Sequence, residues 1–244
     1  MHESLAITRF LNYLFGPAVT SLLNLVGVHP HDSAQPINDT FALELAVAAG
    51  LLLFFLIVRM TLSVEKPSPV QQVAEMIHEF SGGTADQIIG HGYERFQAFV
   101  TCVFLFVLIN NLLGLIPGLV TPTSKPVVPL GIALCTFVYY NIYGLKEQGF
   151  VGYMKELAGP IWWIAPLLFP IEIISHCARV MSLTIRLYAN MFASDLVTLV
   201  FFSLIPLGVP AIFLGLHAFV SLVQAYVFMV LAMIYLSLAA SHQH

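Results

Sequence analysis

Charged residues are scarce in this chain. Asp, Glu, Lys and Arg make up 9% of its 244 residues, while 59% are apolar; a water-soluble domain carries roughly 25% charged residues. The formal net charge is −4 and the nine basic residues are spread along the sequence, so nothing indicates binding to nucleic acid. The mean hydropathy of +0.89 is typical of a protein that crosses a membrane several times.

The chain also lacks the features by which many enzymes are recognised. Its three cysteines, Cys102, Cys135 and Cys177, lie far apart in apolar segments, which fits small core residues better than a disulfide framework. The sequence contains no Walker or dinucleotide-binding glycine motif, no HExxH and no GxSxG. We therefore expect no metal, no cofactor and no bond-making chemistry performed by the chain alone.

Long apolar runs are what the sequence has in abundance, and they predict an all-α polytopic membrane protein. A bilayer core of roughly 30 Å needs about 20 residues of helix, and five runs reach this length. Between the first two, apolar residues recur at helical spacing from Val70 to Phe80, which predicts an amphipathic surface helix. The predicted organisation is an N-terminal outer-side segment at about 1–40 and one membrane domain at 41–244, with a surface helix at 68–80 and spans at 41–64, 96–118, 127–145, 161–203 and 211–240.

The fourth run is much longer than a membrane is thick. It extends from Ile161 to Phe202 with little to stop a helix after Pro170. At 1.5 Å per residue such a helix is about 60 Å long, so it must tilt steeply, kink or lie partly along the membrane. Pro206 and Pro210 then mark a tight turn. We expect the last two helices to form a long, strongly tilted antiparallel hairpin.

The basic residues predict an orientation. Five spans place the two chain ends on opposite sides of the membrane. With the N-terminus outside, the inner segments hold five basic residues and the outer segments hold two: Arg59, Lys66, Arg95, Lys146 and Lys155 against Arg9 and Lys125. The positive-inside rule therefore favours an outer N-terminus and a cytoplasmic C-terminus.

Arg186 is the residue that most strongly indicates function. It lies inside the fourth apolar run, where a charge costs roughly 2.5–3.5 kcal/mol on insertion scales, and arginine does not escape that cost by losing its proton. At the helical period, several residues fall within about 40° of it: Glu172, Ser175, Arg179, Ser182, Asn190 and Ala193. Such a polar stripe suits a water-accessible path or a sliding surface. The Ser and Asn residues alone fit a polar seam between helices equally well, whereas Arg186 together with Glu172 and Arg179 favours a functional surface.

The predicted hairpin brings polar groups of its two helices to the same depth. Asp195 and His217 are each 11 residues from Pro206, and Arg186 and Gln224 are 20 and 18 residues from it. Gln224 can accept a hydrogen bond from the guanidinium, and Asp195 with His217 can relay a proton. Asp195 is nine residues after Arg186, about 180° around the helix. The two groups should therefore belong to different aqueous environments.

Two motifs resemble subunit a of the F-type ATP synthase. The first is Arg186-Leu187-x-x-Asn190-Met191-x-Ala193 followed by an acid, and the second begins at His217 and continues with Gln224-Ala225-Tyr226-Val227-Phe228. The resemblance extends to the order of the spans, the surface helix and the two long final helices. The sequence departs from the pattern at Asp195, where many members have Glu, and at Gly114, where some have an acid.

The resemblance implies a stationary, non-catalytic subunit that translocates protons beside a rotating ring of c subunits. Arg186 matches the essential arginine that faces the buried carboxyl of the ring. The polar groups of the outer half-channel are matched by Asn190, Asp195, His217 and Gln224. Those of the inner half-channel are matched by Glu172 and Ser175. The implied partners are the c ring, the b-subunit peripheral stalk and the rest of the complex, in the bacterial inner membrane, where the proton gradient drives ATP synthesis.

Two other classes of protein are compatible with parts of the sequence. A secondary ion-coupled transporter also holds charges near the membrane midplane, but usually shows internal repeats and paired broken helices, which this sequence lacks. A structural membrane scaffold explains the apolar composition, but it leaves Arg186, Asp195 and His217 inside apolar runs without a reason.

Overall fold

The structure is a computed structural model, which describes residues 5–26, 36–63, 66–116, 119, 121–158, 165–204 and 208–240. Within these residues all regular structure is helical, and five helices are long and apolar enough to cross a membrane. The predicted all-α polytopic fold is therefore confirmed. The helices are α1 (Ala6–Val26), α2 (Asp39–Met60), α3 (Pro69–Ile89), α4 (Glu94–Leu112), α5 (Val127–Ala158), α6 (Ala165–Leu204) and α7 (Val209–Ala240), with short 3-10 turns at Leu113–Leu115 and Pro122–Ser124.

The N-terminal segment contains a helix that is anchored to the start of α2. The Thr8 hydroxyl lies 2.5 Å from an Asp39 carboxylate oxygen. Asn12 donates to the Ile37 carbonyl at 3.1 Å and accepts from the Ile37 N–H at 3.0 Å. These paired bonds connect α1, a helix of 21 residues within the N-terminal segment predicted at 1–40, to the residues before α2.

The surface helix α3 continues beyond its predicted end at residue 80. We expected the glycines after Ser81 to stop it, but Ser81 and Gly82 are buried. A Cβ on Gly82 would lie 2.6 Å from the side-chain nitrogen of Gln97, which donates to the His78 carbonyl at 2.8 Å. Glycine here permits close packing of α3 on α4. The helix ends at Gly90, which has a φ of 75°.

The third predicted span ended at residue 145, but α5 continues through the polar stretch after it, as far as Ala158. Lys146, Glu147 and Gln148 follow the third span, and all three residue types favour helix. Gly149, with a φ of 71°, bends the chain within this extension. The polar residues after 145 therefore show where the apolar part of α5 ends, but the helix itself continues beyond them.

The core is centred on α4 and α7, and α6 contributes one face to it. Leu183, Leu187 and Met191 of α6 are at most 3% exposed and belong to the same apolar cluster as Phe228 and Met229 of α7. In the most apolar stretch of α6 only 11% of residues are buried against the rest of the chain, compared with 44% in α7. Most of this 40-residue helix is therefore open to a partner or to lipid.

Candidate functional site

Arg186 lies near the middle of α6 and is exposed. Leu183 and Leu187, three residues before and one after, point into the core. Among the residues that the structure describes, none forms a hydrogen bond or ion pair with the guanidinium. Its five N–H donors are therefore directed away from the core of this chain and remain available to another molecule.

The surface around Arg186 is polar and built from small side chains. Ser182, Asn190 and Ala193 are all exposed and lie within about 40° of Arg186 on the helix. Small residues allow a neighbouring helix to approach closely in a membrane. We call Ser182, Arg186, Asn190 and Ala193 the arginine face of α6.

Gln224 of α7 is buried beside the arginine face and forms a hydrogen bond with one of its residues. It is 3% exposed, and its side-chain oxygen accepts a hydrogen bond of 2.8 Å from the side-chain nitrogen of Asn190. We expected this oxygen to hold the guanidinium of Arg186. In the structure the bond to Asn190 connects α6 to α7 instead and leaves the arginine unbound.

Asp195 and His217 meet on the side of α6 that faces the chain interior. The distance from Asp195 Oδ1 to His217 Nδ1 is 3.6 Å, so the level positions expected from the hairpin place the two side chains together. Thr121, which precedes the Pro122–Ser124 turn, donates to the same carboxylate oxygen at 2.8 Å. Asp195 is therefore held from two sides, by a hydroxyl of the turn and by the imidazole of α7.

The hydrogen bonds of His217 determine which nitrogen exchanges protons. Nε2 lies 3.1 Å from the Asn111 carbonyl oxygen, which only accepts, so Nε2 carries a hydrogen. Nδ1 lies 2.8 Å from the Ser194 hydroxyl and also faces Asp195. In the neutral ring Nδ1 is therefore the acceptor, and the nitrogen that gains and loses a proton is the one next to Asp195.

Asn111 connects this pair to a wider polar network. Its side-chain oxygen accepts from the Thr123 hydroxyl at 2.6 Å, and its side-chain nitrogen donates to the Ser221 carbonyl at 3.4 Å. Amide side chains inside an apolar span, such as Asn110 and Asn111, need hydrogen-bond partners, but the sequence does not reveal the roles of Thr121 and Thr123. Their only signal is a Thr-Pro-Thr-Ser sequence at 121–124, in a connection where helical periodicity carries no information.

Gly114 leaves the space that the network occupies. A Cβ at this position would overlap the Thr121 hydroxyl and would lie 3.0 Å from Nε2 of His217. The residue lies in the 3-10 turn after α4. Because position 114 has no side chain, Thr121 and His217 of α7 can meet beside Asp195.

Glu172 and Ser175 lie at the other end of α6. Glu172 Oε1 is 3.7 Å from Arg179 Nη2 and 3.7 Å from His176 Nε2, and Ser175 is half-buried. Arg186 is 14 residues after Glu172 and nine before Asp195, about 21 Å and 14 Å of helix. The structure thus holds two separate ionisable clusters with an exposed arginine between them.

Comparison with known proteins gives consistent similarities. Residues 40–237 match the family described as the ATP synthase A chain. The chain is 51% identical over 247 residues to ATP synthase subunit a of Koribacter versatilis, covering both chains completely. It is 43% identical over 235 residues to ATP synthase subunit a of Solibacter usitatus, covering 96% of this chain and 100% of the relative. It is also 41% identical over 172 residues to the Bdellovibrio bacteriovorus protein of that name, covering 70% of this chain and 75% of the relative.

Proposed function

This chain belongs to the ATP synthase A chain family, and on that basis we propose that it is the stationary half of a rotary proton path. In this proposal α6 lies against a ring of c subunits, each with a buried carboxyl group. Protons enter and leave through two offset half-channels that end on opposite sides of Arg186. The ring turns as its carboxyl groups pass the arginine, and this rotation couples the proton gradient to ATP synthesis in the complex.

The observation that carries the proposal is the exposed guanidinium of Arg186, which forms no hydrogen bond or ion pair with any residue that the structure describes. A permanent cation in an apolar helix is costly. Among the residues described, no acid of this chain pairs with it. A carboxylate on a passing helix supplies that compensation. Its attraction favours the ionised form of the ring carboxyl, which promotes release of the bound proton on one side of the arginine. The same positive charge repels hydronium and blocks a direct leak.

The outer half-channel, in this proposal, uses the network between α6 and α7. Asp195 and His217 exchange the proton through Nδ1 of the imidazole, at 3.6 Å. Asn190 of the arginine face and Gln224 of α7, joined at 2.8 Å, lie between this pair and Arg186. The inner half-channel begins near Glu172 and Ser175. Because the clusters lie at opposite ends of the helix, a proton crosses only while it is bound to a carboxyl group of the rotating ring.

The proposal also includes partners and an orientation. The c ring occupies the arginine face, and the peripheral stalk of b subunits holds the chain against rotation. The excess of basic residues in the inner segments, five against two, favours an outer N-terminus and a cytoplasmic C-terminus in the bacterial inner membrane. Each proton moved across the potential contributes roughly 2.3 kcal/mol per 100 mV, which biases the direction of rotation.

Gly114→Ala is expected to slow proton pumping. The added methyl overlaps the Thr121 hydroxyl, so either the turn or His217 must shift, at a cost of about 1–3 kcal/mol for an overpacked site. The hydrogen bond from Thr121 to Asp195 is the first contact to be lost. ATP-driven acidification of vesicles containing the whole complex measures the effect.

Gly131→Ala is the matched control, because a Cβ on Gly131 meets nothing within 4 Å. We expect it to pump at the wild-type rate. Equal rates for the two alanine variants, in complexes assembled to the same level, would contradict the proposed role of the Gly114 space.

Reconstitution of the purified chain distinguishes this proposal from a transporter that acts alone. In liposomes with an imposed potential, the chain alone should conduct no protons above the lipid background, and conduction should appear when the c ring is added. A transporter moves its ion without the ring, so substantial ion flux through the chain alone would reject the stator function.

A further inference from the structure

A second carboxylate–imidazole pair lies at the opposite end of α6 from Asp195 and His217. His176 Nε2 is 3.7 Å from Glu172 Oε1, and His176 Nδ1 is 2.8 Å from the hydroxyl of Tyr140 on α5. The rings of His176 and Tyr140 stack with centroids 5.9 Å apart. The imidazole is therefore held between an acid of its own helix and a phenol of the neighbouring helix.

The charged groups around this imidazole are on α6, while α5 and α7 each contribute a tyrosine. On α6, Glu172 also pairs with Arg179 at 3.7 Å. Arg179 in turn lies over the ring of Tyr235 on α7, at 5.4 Å, and Tyr235 and Tyr140 approach with centroids 6.0 Å apart. With a neutral imidazole the net charge of Glu172 and Arg179 is zero, and a protonated imidazole makes the cluster +1.

The exposure of the cluster favours proton exchange with water over a purely structural role. The side chains of His176, Arg179 and Glu172 are 14%, 27% and 39% exposed, so exposure increases outward from the imidazole to the carboxylate. A cluster that only held the helices together would be expected to bury the carboxylate of Glu172. Because Arg179 shares the carboxylate of Glu172, an imidazolium at His176 is only partly compensated, and this permits rapid release as well as binding.

We propose that His176 is a proton-binding relay of the inner half-channel, with Tyr140 positioning its ring. The proposal rests on the function proposed above. A hydronium ion of the inner aqueous phase gives a proton to the unprotonated nitrogen of the neutral imidazole and becomes water, so an O–H bond breaks and an N–H bond forms. The imidazolium then gives one proton to a carboxylate of the c ring, so an N–H bond breaks and the O–H bond of the carboxyl group forms. The chain then has an acid and a histidine on each side of Arg186, His176 ten residues before it and Asp195 nine after it.

His176→Gln tests the relay, because glutamine keeps a polar side chain of similar length but does not titrate. The whole complex is placed in liposomes with its ATP-hydrolysing part outside, so that pumping takes protons from the outer medium. The ratio of variant to wild-type pumping rate at each outer pH cancels the pH dependence of ATP hydrolysis. We expect a ratio near one at about pH 6 and a loss of at least several-fold at about pH 8, where free protons are scarce and a histidine is most useful.

Two further variants separate the relay from a structural role. Tyr140→Phe keeps the ring stack but removes the hydroxyl, and should give a smaller loss that also grows with pH. His78→Gln makes the same exchange at an exposed histidine of α3 and should keep a ratio of one throughout. An His176→Gln ratio that is flat with pH would overturn the relay, while the proposed function would still stand if Arg186→Ala abolishes pumping in the same liposomes.

Discussion

Replacement of Arg186 by alanine should abolish coupled proton transport while the complex still assembles. The side chain is exposed and makes no hydrogen bond or ion pair within the described part of the chain, so its removal breaks no internal contact. The ring carboxyl then loses the cation that favours its ionised form, and the barrier between the half-channels disappears. We expect ATP-driven pumping to fall by at least about 100-fold, the effect of removing one preorganised electrostatic partner.

Two companion variants make the Arg186 result specific. Arg186→Lys keeps a positive charge but loses the planar fork and gains the ability to lose its proton, so we expect a large loss here too. Arg59→Ala removes an exposed arginine at the end of α2 and should pump normally. Assembly is checked by co-purification of the c ring with each variant. Normal pumping by Arg186→Ala would reject the role of the arginine.

The Asp195–His217 pair should control the rate of proton entry. His217→Ala removes the nitrogen that exchanges the proton, and Asp195→Asn removes its carboxylate partner. Each is expected to slow pumping by about 100-fold, the lower end of the range for a lost acid–base group. Since both act on one step, the double variant should lose little more than either single variant. ATP-driven vesicle acidification reports these rates when it is measured over a range of starting pH inside the vesicles, the side on which the outer half-channel opens in this orientation.

The exchanged variant Asp195→His with His217→Asp provides the sharper test of the pair. It keeps one carboxylate and one imidazole at two positions whose native side chains lie 3.6 Å apart, and it should recover part of the lost rate. His91→Ala, in the turn between α3 and α4, is the matched control and should have no effect. Strictly additive losses in the double variant, with no recovery on exchange, would show that the two residues act separately.

The membrane spans could be predicted from the sequence because their signal is local. Apolar length identified all five spans, and the described helices that match them begin and end within a few residues of the predictions, apart from the polar extension of α5. The extents of α3 and α5 were missed because glycines at 82 and 83 and a polar composition after 145 are also typical of loops. In α3 the decisive fact is tertiary: the Gln97 side chain lies against Gly82.

Two parts of the candidate site could be predicted, because they depend only on the helical period or on the number of residues from the turn at Pro206. The helical period separated Arg186 from Asp195, and equal distances from Pro206 brought Asp195 to the depth of His217. The period also contained an unused signal for His176, since it follows Glu172 by four residues, a spacing that brings side chains together on a helix. Thr121 was beyond reach, because its contact with Asp195 joins residues 74 apart in sequence.

Cross-linking measures most directly whether the arginine face lies against the ring. In a background without the three native cysteines, cysteines at Ser182 and Ala193 should each form a disulfide with a cysteine on the outer helix of a c subunit. Phe192, 44% exposed but about 120° from Arg186, serves as the off-face position and should cross-link poorly. Cross-linking that is as strong from position 192 as from 182 and 193, or absent from both of the latter, would contradict the account.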